Sequence, residues 1–171
     1  MPTERLTLRP VVPEDEEPFR RAHRDLAAAG YTFAHGYDEA EAFPRYVARL
    51  ARQAQGVEVR DGWVPTTFLV ADVGGVIVGR ASIRHQLNES LLREGGHIGY
   101  AVLPEHRRRG YATEILRQSL EVAREHGVDR ALLTCDDDNV GSATVIERCG
   151  GVLDSIGVGE RGQPLRHYWI G

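Results

Sequence analysis

The sequence predicts a mixed α/β fold, and three observations carry that expectation. Short stretches near both ends alternate apolar and polar residues, residues 66 to 85 read as a β-rich hairpin, and the segment after Gly110 carries apolar residues at helical spacing. In chain order, Arg5 to Arg9 sets Leu6 and Leu8 among polar neighbours, the signature of a half-buried strand, which Pro10 and Pro13 end. From Pro13, with acids in its first turn, a helix runs to Ala29 and stops at Gly30, which suits a C-terminal cap. A second helix fits Glu39 to Gln55, between an aromatic loop, Tyr31 to Asp38, and a second loop, Gly56 to Pro65.

Thr66 to Asp72 and Val76 to His85 are rich in β-branched and apolar residues and flank the turn Val73-Gly74-Gly75. A further strand spans His97 to Leu103. After Gly110, residues Ala112, Ile115, Leu116, Leu120 and Ala123 fall on one helical face, and Gly127 ends that helix. Ala131 to Thr134 is a short strand, Ser142 to Cys149 a short helix stopped by Gly150-Gly151, and Val152 to Ile156 and Leu165 to Ile170 are the last strands. Because one helix joins the strand from His97 to the strand at Ala131, those two are expected to run parallel with a right-handed crossover.

At 171 residues the chain fits a single domain, 1–171, large enough to bury a core without disulfides or a structural metal. The net charge of −4 argues against a general nucleic-acid binder. Cys135 and Cys149 do not make a disulfide framework and read as buried free thiols. The N-terminus is charged where a signal peptide needs an apolar core, and no apolar run approaches a membrane span of about 20 residues, so a cytoplasmic protein without membrane partners is expected.

Chemistry concentrates in Pro104-Glu105-His106-Arg107-Arg108-Arg109-Gly110-Tyr111-Ala112-Thr113, a turn that opens directly into the amphipathic helix. Small residues at Gly110 and Ala112 let a ligand approach the backbone. The first amides of a helix have no internal partner and carry partial positive charge, and the adjacent arginines add potential, so a pyrophosphate is the natural guest. The bland alternative is a solvated turn. Here the chain resembles the GNAT superfamily of acyl-CoA-dependent N-acetyltransferases, whose signature is Arg or Gln, two residues, Gly, one residue, then Gly or Ala; Arg107, Gly110 and Ala112 fill it. Asn139 and Ser142, after the next strand, match the family's second motif. The stretch Gly95-Gly96-His97-Ile98-Gly99-Tyr100 and the terminal Tyr168-Trp169-Ile170 are similar to one bacterial branch.

The resemblance implies a mixed, mostly antiparallel sheet of about six to seven strands flanked by helices, with a splayed parallel pair that binds acyl-CoA. It implies acetyl-CoA as co-substrate, no metal, and a small-molecule amine, or a peptide, as acceptor in a ternary complex. It places the pyrophosphate on the backbone of Arg108, Arg109, Gly110, Tyr111, Ala112 and Thr113, and the pantetheine arm along Ala101, Val102 and Leu103. The Val102 amide or its neighbour would polarise the thioester carbonyl, and Asn139 would fix the arm from the other side, a role compatible with capping a helix.

Acid and base are less legible. The tyrosine that protonates the thiolate in many members falls at Ile146, which leaves Ser142 or Tyr168 as substitutes. The strand carboxylate some members use falls near Gly96, which leaves Glu94 and His97, the latter equally readable as a structural histidine. Those vacancies keep open a non-catalytic acyl-CoA sensor of the same fold. Asp38, Glu39 and Glu41 would attract a cationic amine or simply be a solvated helix start. Gly157 to Gly162 matches G-x-G-x-x-G but opens no helix and reads as a hairpin loop; Asp136 to Gly141 imitates a calcium loop with Val140 at a ligand position. A strand edge near the C-terminus would permit a homodimer.

Overall fold

The computed structural model describes residues 4–171. Among the described residues seven strands form two antiparallel ladders, the first ordered β1-β2-β3-β4 and the second β5-β7-β6. In the first, β1 (Thr7–Pro10) pairs with β2 (Thr66–Val73), β2 with β3 (Val76–Arg84), and β3 with β4 (Ile98–Val102). In the second, β7 (Pro164–Ile170) lies between β5 (Ala131–Asp136) and β6 (Val152–Val158). Pro10, expected to stop the strand after Arg9, is instead the last residue of β1, because β1 is an edge strand on which a missing ladder donor is tolerated. The free edge is bonded by Gln118, which accepts from the Leu8 amide at 2.9 Å and donates to the Leu6 carbonyl at 2.9 Å.

Helix α1 (Glu16–Ala28) follows a 3₁₀ turn at Pro13–Asp15 and ends before Gly30, whose φ of 86° confirms the cap. Helix α2 begins at Phe43 and runs to Ala54, four residues later than the expected Glu39. An earlier start would place Pro44, which has no N–H, in the helix interior; in the first turn that N–H is not needed. A short helix α3 (Glu89–Arg93), capped by the Asn88 side chain on the Leu91 amide, was not expected. Five residues are too few to show a hydrophobic period. Helices α4 (Tyr111–Glu125) and α5 (Val140–Arg148) complete the set, and Gly159 to Gly162 is the β6–β7 turn.

The strands of the first ladder bury both faces. Leu69, Ala71, Val78, Ala81 and Ile83 pack with Ile115, Leu116 and Leu120 of α4. On the opposite face Val70 and Ile77 pack against Phe19, Phe33, Phe43 and Tyr46 from the α1–α2 region. The alternation continues in β4: Tyr100 and Val102 join the α4 side, Ala101 and Leu103 the aromatic side.

The strands expected as a parallel pair, β4 and β5, meet where the His97 amide donates to the Leu132 carbonyl at 2.7 Å; no ladder between them is present among the described residues. Cys135 is buried and Cys149 half-buried, both free, and burial raises both thiol pKa values. No described helix is long and apolar enough to cross a membrane.

Candidate active site

The splay leaves the outer edge of β4 open. The Leu103 amide donates to Val78 at 2.8 Å, and in an antiparallel ladder alternate residues face the partner, so Ala101 and Gly99 also turn toward β3. Tyr100 and Val102 therefore turn their amides and carbonyls toward the gap. Arg107 bonds the Val102 carbonyl through Nε at 3.3 Å, which leaves the Val102 amide as the outward donor.

Beyond β4, the turn into α4 has an unusual backbone. Arg108 sits at φ 61° and Gly110 at φ 81°, both left-handed. A non-glycine residue held there costs about 1–2 kcal/mol, which the surrounding turn must sustain. The first bond of α4 runs from the Glu114 amide to the Gly110 carbonyl, and among the described residues no group accepts from the amides of Arg108, Arg109, Gly110, Tyr111, Ala112 or Thr113. These donors lie at the positive end of a 15-residue helix. A side chain at Gly110 would meet nothing within 4 Å, so glycine is needed there for its backbone angle and for open access. Arg109 bonds the Glu105 carbonyl, and the Arg107 guanidinium lies 5.9 Å from the Tyr31 ring centroid.

Across the gap Asn139 caps α5, its Oδ1 accepting the Ser142 amide at 3.1 Å. Ser142 Oγ lies 3.0 Å from the Tyr100 hydroxyl, so a side chain of β4 and one of α5 close on each other. Burial pushes the Tyr100 phenol up to about 12, although its bond to Ser142 opposes the shift. The sequence reading missed Tyr100. Its period-two position opposite α5 was the available signal, but only the splay shows that the two elements touch.

Ile146 is fully buried in the core. Tyr168 is also fully buried, donating to Glu147 at 2.8 Å and accepting from Arg166 at 3.3 Å. Glu94 accepts the Glu160 amide at 2.6 Å and a Gln163 bond at 3.2 Å, tying it to the β6–β7 turn. His97 is buried, and its Nδ1 accepts the Leu132 amide at 2.9 Å. The neutral ring therefore carries its proton on Nε2 and has no free lone pair.

Burial, with Arg84 nearby, lowers the His97 pKa below its ordinary 6.5. The unfolded chain then binds a proton below that pH which folded His97 refuses. Its contribution to stability is complete above pH 6.5 and falls as pH drops toward the folded value, by up to about 1.4 kcal/mol per pH unit. In a His97→Asn variant the amide oxygen can replace Nδ1. Calorimetric melting should decline less steeply between pH 7 and 5 than in the native chain, and equal slopes would contradict this account.

On the aromatic side of β2 and β3 lies a cavity of about 230 Å³, lined by Tyr46 and Gln53 of α2, Phe68, Ser82 and Arg84 of the sheet, and His35 and Trp63 of the loops. Desolvation by the surrounding protein, with Arg80 and Arg84 close by, lowers the His35 imidazole to about 4, although the residue is exposed. Of the acids near α2, Glu41 pairs with Arg49 at 2.6 Å, Glu39 lies 3.9 Å from Arg24, and Asp38 is exposed and accepts the Ala40 amide. Asp136 and Asp137 pair with Arg161 and Arg166, both at 2.7 Å. No cluster of three or more His, Cys, Asp or Glu suited to a metal occurs among the described residues.

The chain and its fold have counterparts in known proteins. The family model described as an acetyltransferase (GNAT) domain matches residues 5–152. The chain belongs to this family and is an acyltransferase. It is 27% identical over 157 residues to YjdG of Bacillus subtilis (strain 168), an N-acetyltransferase itself uncharacterized, with 89% of each chain covered. Among solved structures, RimJ of Mycobacterium smegmatis in complex with a CoA disulfide aligns with a TM-score of 0.70 at 21% identity, covering 96% of this chain and 81% of that one. The yncA protein of Salmonella typhimurium, solved with its cofactor acetyl-CoA, aligns at 0.65 and 18% identity over 96% and 92% of the two chains.

Proposed function

We propose that this chain transfers the acetyl group of acetyl-CoA directly to a primary amine, of a small molecule or a peptide, in a ternary complex and without a metal. The observation that carries the reading is the run of unpartnered amides from Arg108 to Thr113 beside the outward amide of Val102. Acetyl-CoA, when bound, supplies the activated thioester. The amides of Arg108, Arg109, Gly110, Tyr111, Ala112 and Thr113, with the Arg107 to Arg109 cations, bind the pyrophosphate. The open edge Ala101 to Leu103 orients the pantetheine arm, and Val102 N–H stabilises charge on the thioester oxygen. Asn139, with Oδ1 committed to its cap, offers Nδ2 to the arm.

Proton delivery to the departing sulfur falls to the Ser142–Tyr100 hydroxyl pair. His97 acts as a positioning residue that pins the apex of the splay, and Tyr168 positions α5 through Glu147. The solved relatives holding acetyl-CoA and CoA support the choice of co-substrate. Calorimetric titration with acetyl-CoA should show saturable one-site binding, followed by release of coenzyme A on addition of an amine; no binding would defeat the reading.

A homodimer formed through β6 belongs to the same proposal, since that edge strand exposes Val152, Leu153, Ile156 and Val158. A purely monomeric sedimentation profile at micromolar concentration would remove it.

A further inference from the structure

Two arginines project from β3 toward the α1–α2 side without an acidic partner. Arg80 is 7% exposed, donates through Nη2 to the Thr32 carbonyl at 2.8 Å, and has a buried Nε with no acceptor. Arg84 donates through Nη1 to the carbonyls of Gly95 and Gly96, both at 3.1 Å, and forms part of the cavity wall. Among the described residues no carboxylate pairs with either guanidinium, whereas Arg9, Arg20, Arg49, Arg117 and Arg166 all have one.

The two cations also converge. A methyl group on Gly99 would lie 3.4 Å from Arg80 Nη1 and 3.6 Å from Arg84 Nη2, so both reach the same point on β4, one residue from Tyr100. Burial and mutual repulsion lower the Arg80 pKa to about 10, and burial lowers that of Arg84. Holding unpaired like charges together in a desolvated place is costly, and an anion placed between them would remove the cost.

We propose that the cavity beside Arg84 is the acceptor site and that it selects a small amine bearing an anionic oxo group, carboxylate or phosphate, held by Arg84 and Arg80. This rests on the acetyl-transfer reading above. The same cations depress the pKa of an ammonium brought beside them, so the acceptor loses its proton to solvent without a strong protein base. The neutral amine then attacks the thioester carbonyl, the C–S bond breaks, the thiolate takes the proton of the hydroxyl pair, and the proton that the nitrogen sheds on becoming an amide passes to solvent, from which the pair is reprotonated. His35 at the rim is neutral at physiological pH and adds no competing charge. A volume of about 230 Å³ admits a molecule of amino-acid size.

The test is a panel of amino acids, their carboxamides and the matching aminoalkylphosphonates, with coenzyme A release as readout. Acids or phosphonates should exceed carboxamides in kcat/KM by about 100-fold or more, because a site built to bond a group rejects the analogue lacking it. Whichever of the two anions is preferred identifies the group. Arg84→Gln should erase the preference while acetyl-CoA still binds by calorimetry; Arg84→Met, which keeps the aliphatic stem without the charge, serves if the first variant fails to fold.

Turnover of carboxamides as efficient as that of acids and phosphonates would overturn the proposal and leave acetyl transfer standing. If no amine in the panel reacts, melting decides. Acetate or inorganic phosphate, against chloride at equal ionic strength, should raise the native melting temperature by more than that of Arg84→Gln, and equal shifts would end the proposal. Failure to bind acetyl-CoA is a separate result that strikes only the reading beneath it.

Discussion

Replacing Gly110 by glutamate should weaken acetyl-CoA binding by at least about 100-fold while the chain stays folded. The variant places a carboxylate among the unpartnered amides of residues 108 to 113, so in the proposed site it competes for the donors of the pyrophosphate and cancels part of the potential of Arg107 to Arg109. Nothing within 4 Å of the new Cβ obstructs it, so the structural cost is the left-handed backbone alone, about 1–2 kcal/mol. In a chain of this size that lowers the melting temperature by roughly 2–8 °C. Gly110→Ala carries the same backbone cost without the charge. Titration of both variants separates the effects: alanine should retain most of the affinity and glutamate almost none. Glutamate binding within threefold of native would place the cofactor elsewhere.

This turn was legible from sequence because the role proposed for it is a backbone role. A ligand held by amides at a helix start needs only the helix, the small residues and the cations, and Arg107 to Ala112 states all of them in one stretch. The same holds for most of the fold. The hairpin of β2 and β3, the α4 face and the glycine stops are local patterns, and the structure differs from them mainly at ends, as where Pro44 delays α2.

The arginine pair on the aromatic side was not legible, for a physical reason. Arg80 and Arg84 occupy alternate positions in a strand otherwise read as apolar, and charged residues in such a pattern read as its solvent-facing half. Their burial follows from α1 and α2 covering that face, a contact among residues far apart in sequence. His97 shows the converse: its ring looked available for proton transfer until the fold placed the Leu132 amide against Nδ1. Tyr100 and Ser142 are 42 residues apart and meet only because α4 returns the chain to place α5 beside β4.

That meeting gives the second large expectation. Tyr100→Phe should lower kcat by about 10²–10⁴-fold, the usual contribution of a positioned proton donor, with acetyl-CoA affinity changed little because the proposed hold on the arm is the backbone of β4. Burial keeps the phenol protonated well past the ordinary tyrosine range, up to about 12, so the native rate should show no alkaline decline from this group below pH 10. Ser142→Ala removes the partner at 3.0 Å and should slow the reaction too. If the hydroxyls act as one relay, the double variant loses little more than the worse single variant, since groups that act together are strongly non-additive. Additive losses would mean two separate roles, and an unchanged kcat in Tyr100→Phe would mean that solvent protonates the thiolate. A structural role for Tyr100 predicts a different pattern, with lower melting temperature and weaker acetyl-CoA binding alongside the lost rate. The ring stays in phenylalanine and packs beside the α4 cluster as before, so melting should move by only about 1 kcal/mol worth of hydrogen bond.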